Sequence, residues 1–528
     1  MCNNMSTNIN LSNIKKFLSP SKEDLNKTIN ENPKSAVFKL AMPTLVSLLF
    51  LNINGVMDNM WVAGLGPDCL AGVGFILPIF SIIVSVGNGL GVATNALLSS
   101  VLSKNNERLA KKITQNSLII TLVLGIIITL FLVIFLNQIL LILNVKTALG
   151  PALDYGYILF GGMLVFFFAA VVPSILKARG DVTKVTYAMA STSFLNIILD
   201  PILIYNLNLG VKGAAIATVF CSFLCCIILT YFIFKDKNNK VEFKHKFKRH
   251  SNNLKDSLYF IIQKILDNML LSVVGILFKS VFNKDNEIVK LKSDFEIDTK
   301  SIKELMTLAI PIILESFALS VLGLIFTMLF NIFGTTMDVA IFTIVFKIYY
   351  LAIIPGVAIS SSAVTIAAYL STSLNYKKLK EISRYMIKTS VKLSIIIWII
   401  ILILNEGIVM LFTSTHTSAA FNTLLGANMQ FMLLTIIPLP IGFISTGILQ
   451  GLKLGKISFA LSVTRSILLE VIFSLIFLFV FHLGTNGIYY GIVCGAIIGS
   501  IICLVFARIY SHRFFKNAEA NDKSISST

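Results

Sequence analysis

Charge is what this sequence has least of. Of its 528 residues only 13% are Asp, Glu, Lys or Arg, while 56% are hydrophobic. An average soluble domain carries about 25% charged residues. A chain this apolar lacks the polar groups to cover a water-facing surface, so a lipid-embedded protein is expected. Cysteine is also sparse, at seven residues. Cys221, Cys225 and Cys226 stand about one helical turn apart inside an apolar run, without zinc-ligand spacing. With no recurrent pairs, the sequence offers no disulfide framework. No Walker motif and no HExxH is present, which leaves ATP-driven transport and zinc-protease chemistry unsupported. Gly87, Gly89 and Gly91 follow an apolar helical run rather than a strand, and no Lys-Ser or Lys-Thr comes after them. Close helix packing accounts for them better than a nucleotide loop. The first 35 residues are polar and the first apolar run begins near Ala36, so insertion through the first span itself, without a signal peptide, is expected.

What is present is a succession of apolar runs. A bilayer core needs about 20 apolar residues per helix. Twelve runs meet that length, near 43–64, 73–98, 115–136, 153–176, 184–206 and 211–234, then 308–331, 338–368, 386–412, 425–449, 457–481 and 487–508. The fold class expected is an all-α polytopic membrane protein of twelve spans.

The net charge of +18 follows from topology rather than nucleic-acid binding. Of 44 Lys and Arg residues, all but four fall in the tails or the even-numbered connections, on one side of the membrane. Lys146 and Lys212 lie in loops on the other side; Lys347 and Arg465 fall within spans. The positive-inside rule then puts both termini in the cytoplasm.

The two halves look alike. Leu40-Ala41-Met42-Pro43 opens the first span, and Leu308-Ala309-Ile310-Pro311 opens the seventh, 268 residues later. Lys184-Val185-Thr186-Tyr187-Ala188 and Lys456-Ile457-Ser458-Phe459-Ala460 open the fifth and eleventh, 272 residues apart. Six spans per half give a parallel repeat, the arrangement of transporters whose lobes enclose a cavity. The expected organisation is a polar tail over 1–35, an N-lobe over 36–235, a linker over 236–303, a C-lobe over 304–510 and a tail over 511–528. Within the linker, Leu258–Ile262 and Met269–Phe282 are apolar patches among basic residues. They read as an interfacial helix, with an extra hairpin as the rival.

Acids inside a span cost about 2.5–3.5 kcal/mol at mid-bilayer, so they mark function. In the first half only Asp58 and Asp200 sit well inside apolar runs. Each lies about six residues from the outer end of its span, roughly 9 Å deep. Thr218 reaches a similar depth from the opposite direction. Asn196 is one turn from Asp200 on the same face. Pro201 follows Asp200 and frees the carbonyl of Ile197, so a helix bend there is expected. Two carboxylates, an amide oxygen and a hydroxyl suit a small hard cation, and Na+ and H+ are both open. The second half does not repeat these residues: Phe326, Leu468 and Ile472 occupy the equivalent positions. Its own in-span polar residues are Glu315, one turn after Pro311, which reads equally as an interface anchor or a cavity wall, and Lys347, Arg465 and Glu470, which have no assigned role. Arg465 and Glu470 are five apart, a poor spacing for a pair on an α-helix.

The segments Ala178-Arg179-Gly180-Asp181, Asn196-Ile197-Ile198-Leu199-Asp200-Pro201 and Gly210-Val211-Lys212-Gly213-Ala214-Ala215-Ile216-Ala217-Thr218 resemble the MATE, or multidrug and toxic compound extrusion, transporters. Val56-Met57-Asp58-Asn59-Met60-Trp61 is similar to their first helix. The likeness covers roughly residues 36–510 and fits archaeal and bacterial members of the DinF-like type. It implies twelve helices in two lobes and export of organic, cationic and amphipathic small molecules driven by inward Na+ or H+. It implies a first-lobe cation site at Asp58, Asn196, Asp200 and Thr218, with no cofactor beyond the coupling ion. Such members also carry an Asn in the fourth helix; the corresponding region here, near Ala170, shows no amide. The expected setting is the cell membrane, with lipid and a small-molecule substrate as partners, no nucleic acid, no enzymatic activity, and a monomer sufficient. A lipid-linked saccharide flippase and a non-transporting membrane protein are the alternatives.

Overall fold

A computed structural model describes residues 29, 33–142, 145, 148–235, 299–412 and 419–526. The first six spans are α1 (Pro33–Ala63), α2 (Pro67–Ser103), α3 (Glu107–Ile142), the pair α4 (Leu149–Gly161) and α5 (Met163–Ala178), α6 (Val182–Pro201) and α7 (Val211–Lys235). The second six are α8 (Thr299–Phe333), α9 (Thr336–Thr372), α10 (Tyr376–Ile403), the pair α12 (Ala419–Met432) and α13 (Leu439–Gly451), the pair α14 (Gly455–Val463) and α15 (Glu470–Phe479), and α16 (Gly484–Ser526). Eleven helices are long and apolar enough to cross a membrane; α4 and α5, bent by 47°, make a twelfth when taken as one span. The described residues are all-α, as the hydropathy predicts.

The helices outrun their apolar stretches, because polar turns extend past the hydrocarbon without ending the backbone ladder. The ninth run differs most: its helix stops at Ile403, and residues Asn405–Phe412 form the separate short α11. The last helix runs on through the polar C-terminal segment to Ser526. Phe515 is buried there, its ring 5.6 Å from that of Tyr376. The expected interfacial helix falls on residues 236–298, outside those described.

The apolar cores show how the halves meet. One core draws on both halves. Leu40, Leu97, Ile175 and Val185 belong to it, as do Leu308, Ala367, Met386 and Ile448. All lie at the end of the bundle where α1 begins and α16 ends. At the other end there are two cores: Ile76, Leu136 and Phe160 belong to one half, Phe330, Phe342 and Tyr489 to the other. Hydrogen bonds between the halves follow the same division. Asn95 Nδ2 donates to Thr365 Oγ1 at 3.2 Å, Ser103 and Thr372 share a bond of 2.8 Å, and Tyr369 donates to the Ala178 carbonyl at 3.4 Å. Joined at one end and separately cored at the other, the lobes part toward the end opposite the start of α1, which defines a cleft between them.

Glycine permits the junction. A Cβ on Gly89 would stand 2.6 Å from the Ile313 Cα, so α2 and α8 can touch only because residue 89 has none. Gly87 and Gly91 receive Ala170 of α5 in the same manner. The three glycines serve helix packing, as their setting in the sequence predicts.

Candidate functional site

The first and fifth spans are tied at two levels. Near the termini end, Ser47 donates to Thr186 Oγ1 at 2.9 Å, and Thr186 donates to the Pro43 carbonyl at 2.6 Å. That carbonyl sits within a helix, where side-chain hydroxyls help satisfy backbone groups that lipid cannot. At the opposite end the Tyr205 hydroxyl donates to the Trp61 carbonyl at 2.5 Å, and the two rings meet edge to face at 6.3 Å. Tyr205 is placed by a π-helical turn, Ile202–Asn206, which takes over from α6 at Pro201. A proline supplies no N–H, so the regular ladder is interrupted at this point. The bend expected at Pro201 thus takes the form of a change in helical winding.

Between these ties stand the predicted residues. Asp200 and Asn196 are fully buried, Asp58 partly so. The Asp58 and Asp200 carboxyl groups are direct neighbours. Asn196 Nδ2 donates to Asp200 Oδ1 at 3.4 Å, and Asn54 Nδ2 donates to Asp58 Oδ2 at 3.4 Å. The remaining oxygens, Asn54 Oδ1, Asp58 Oδ1, Asn196 Oδ1 and Asp200 Oδ2, are buried without a hydrogen-bond donor. Four acceptor oxygens with no N–H or hydroxyl donor, two of them on carboxyl groups close enough to share a proton, form a site suited to a cation or a proton, since an unpaired buried acceptor is costly.

Thr218 makes a local bond that leaves its oxygen able to accept. It is half-buried on α7, and its hydroxyl donates to the Ala214 carbonyl at 3.0 Å on its own helix. Cys221, one turn further along, lies against Asn196 and within electrostatic range of both aspartates. Tyr155 of α4 is buried within range of the same two carboxyls. The fourth span therefore offers the site a phenol from its α4 segment. Ala170 belongs to α5, beyond the 47° bend, and packs on the second span instead. Asn54 was legible in the sequence as an amide one turn before Asp58. Nothing in the sequence marks Tyr155 or Cys221, because their place depends on how the fourth and sixth spans are rotated. Among the described residues no group of three His, Cys, Asp or Glu side chains is close enough to hold a metal ion, and all six described cysteines are free.

The second lobe carries its own polar cluster. Glu315 is buried on α8 and accepts hydrogen bonds from Ser462 at 2.5 Å, Ser458 at 2.9 Å and Gln450 at 3.1 Å. Its carboxylate is held inside the lobe, neither anchoring the interface nor lining the cleft. Arg465 is 1% exposed. Its guanidinium lies 4.4 Å from the Phe443 ring centre, and Nε and Nη2 donate to Ser466 Oγ at 3.3 and 3.1 Å. Residues Thr464–Leu469 form a second π-helical turn. A π turn widens the winding, and Arg465 and Glu470 both point into the lobe despite their spacing. They do not form an ion pair among the described residues.

Comparison with known proteins agrees with this architecture. A family profile described as MatE matches residues 43–202 and again 311–476. The two matches begin at Pro43 and Pro311, the same pair that marks the repeat. A protein named multidrug export protein MepA from Staphylococcus haemolyticus is 27% identical over 255 residues, 46% of this chain and 55% of that protein. One named FAD transporter from Shewanella oneidensis is 26% identical over 211 residues, 39% of this chain and 46% of that protein. The chain thus spans about half the length of the curated relatives it matches. A solved structure described as the outward-facing conformation of a multidrug resistance MATE family transporter superposes with a TM-score of 0.78 at 23% identity, covering 95% of this chain and 98% of that one. A transporter of the MOP superfamily from Pyrococcus furiosus gives 0.78 at 23% identity, covering 94% and 98%. These likenesses establish the fold.

Proposed function

The chain belongs to the MATE family, and we propose that it is a secondary active exporter of organic amphipathic compounds, coupled to inward movement of Na+ or H+. It works in the cell membrane as a monomer, with both termini in the cytoplasm. The observation that carries the reading is the set of four buried oxygens on Asn54, Asp58, Asn196 and Asp200 that no N–H or hydroxyl reaches, held between α1 and α6. The names of the MepA relatives support export as the activity.

Coupling needs a difference in cation affinity between conformations. The site spans α1 and α6, which are tied to each other at Ser47–Thr186 and at Trp61–Tyr205. Occupation of the oxygens by a cation draws the two helices together between those ties. Their departure from that arrangement, at the π turn after Pro201, releases it. The lobes then exchange a cleft on one side for a cleft on the other. The cation supplies charge compensation; Asn54 and Asn196 hold the two carboxyls in place.

Dye efflux from energised vesicles tests the proposal, with the wild type and Asp200→Asn compared under separate Na+ and proton gradients. Efflux driven by one gradient and lost in the variant is the expected result and names the ion. Coupled efflux that survives Asp200→Asn removes this residue from the mechanism.

A further inference from the structure

Lys347 lies within a span, on α9, eleven residues from its start at Thr336 and therefore about 16 Å along the helix. A lysine at that depth is costly if it faces lipid, so its surroundings decide what it is for. Lys347 is exposed, and among the described residues it has neither an ion-pair nor a hydrogen-bond partner.

The helical register shows where it faces. Thr365 of the same helix bonds Asn95 of the opposite lobe. Lys347 is eighteen residues before Thr365, which is about five turns and brings both to one face. Between them on that face, Ile354 and Ala358 are buried, so the stripe is continuous. Toward the termini it presses on the other lobe. In the outer half it carries Thr343, Lys347, Tyr350 and Leu351, all exposed. The opposite face, with Phe342 and Val345, is buried in the core of its own lobe. The stripe that touches the other lobe at one end thus looks across the cleft at the other end.

We infer that the cleft binds amphipathic organic anions, with Lys347 as the charge that selects them. The inference rests on the export reading and names its substrate class. Charged groups of the neighbouring elements lie inside their own lobes: partly buried Asp58 with Asp200 and Asn54, and buried Glu470 beside Arg465 and within electrostatic range of Tyr349 and Tyr350. Lys347 is left to face the cleft with an aromatic ring and an apolar side chain beside it. A lone cation between low-dielectric walls concentrates anions. Tyr350 and Leu351, 44% and 47% exposed, offer surface for the apolar part of the ligand. This sets the substrate's charge opposite to the cationic class expected from the family likeness.

The test uses fluorescein and rhodamine 6G, two dyes with one xanthene skeleton and opposite charge. Binding to the purified full-length protein is followed by fluorescence anisotropy at mildly alkaline pH, and efflux from vesicles in parallel. The wild type is expected to bind fluorescein more tightly than rhodamine 6G. Lys347→Met is expected to weaken fluorescein binding about tenfold, the loss of one charge-assisted contact. Lys347→Arg should retain it, and Lys347→Glu should reverse the preference. The side chain is exposed, so these variants leave the packing intact. Unchanged fluorescein affinity in Lys347→Met, a wild-type preference for rhodamine 6G, or no binding of either dye overturns the inference. Lysine-dependent fluorescein binding without efflux under any gradient supports it while counting against the export reading.

Discussion

The Ser458 hydroxyl donates to Glu315 Oε2 at 2.9 Å, joining the eleventh span to the seventh. In the first lobe the equivalent positions are Thr186 and Ser47, and they too share a hydrogen bond, of 2.9 Å. The repeat is thus preserved at the level of a single contact, while its chemistry diverges. One lobe ties its spans with two hydroxyls. The other uses a buried carboxylate near Arg465. Asp58 and Asp200 have no counterpart in the second lobe, and Glu315 has none in the first.

This divergence predicts unequal costs. Glu315→Ala leaves Ser462 and Gln450 without their acceptor, while Ser458 keeps the Thr446 carbonyl, and it removes negative charge near a buried arginine, a change of about 3–5 kcal/mol. Ser47→Ala loses one neutral hydroxyl, shared between Thr186 and the Pro43 carbonyl, about 1 kcal/mol. Thermal unfolding in detergent should therefore drop by several degrees more for Glu315→Ala than for Ser47→Ala. Equal drops would place Glu315 outside the stabilising network.

Arg465 and Glu470 can be tested by a double-mutant cycle. Arg465→Met alone leaves Glu315 and Glu470 in an apolar lobe with no cation between them. Adding Glu470→Leu removes one of those charges. The double variant should be more stable than the single one by roughly 1–3 kcal/mol, although the two side chains do not touch. Additive losses would show that they act independently.

The first-lobe oxygens predict a stabilisation by the coupling ion that does not depend on transport. A ligand at 100 times its Kd raises stability by about 2.7 kcal/mol. The melting temperature of the purified protein should therefore rise either with Na+ or with falling pH. Asp58→Asn and Asp200→Asn should each abolish the rise. A shift that persists in both variants would put the ion elsewhere.

The closed end of the cleft offers a covalent test. Ser103 and Thr372 share a hydrogen bond of 2.8 Å between short side chains on opposite lobes. In a background without the native cysteines, Ser103→Cys with Thr372→Cys should cross-link under oxidising conditions and stop efflux, and reductant should restore it. Efflux that continues through the cross-link would mean the lobes need not part there.

Much of this protein can be read from its sequence, and the reason is the bilayer. Lipid supplies no hydrogen bonds, so an apolar run of sufficient length has to be a helix, and basic loops have to sort to one side. Span number, the repeat at Pro43 and Pro311, and the cost of Asp58 and Asp200 within apolar runs follow without tertiary information. Depth along a helix is also legible, and Asp58, Asn196 and Asp200 are indeed brought together. Rotation about the helix axis is not. Only tertiary packing turned Tyr155 and Cys221 toward the aspartates and set Ala170 against glycines of the second span. Two π turns, which hydropathy does not register, carried Tyr205 to Trp61 and turned Arg465 and Glu470 into one lobe. The cleft was likewise decided in three dimensions, since an apolar residue facing lipid and one facing a cavity look the same in the chain. Lys347 had a position in the sequence but acquired a direction only when the face it shares with Thr365 met the other lobe.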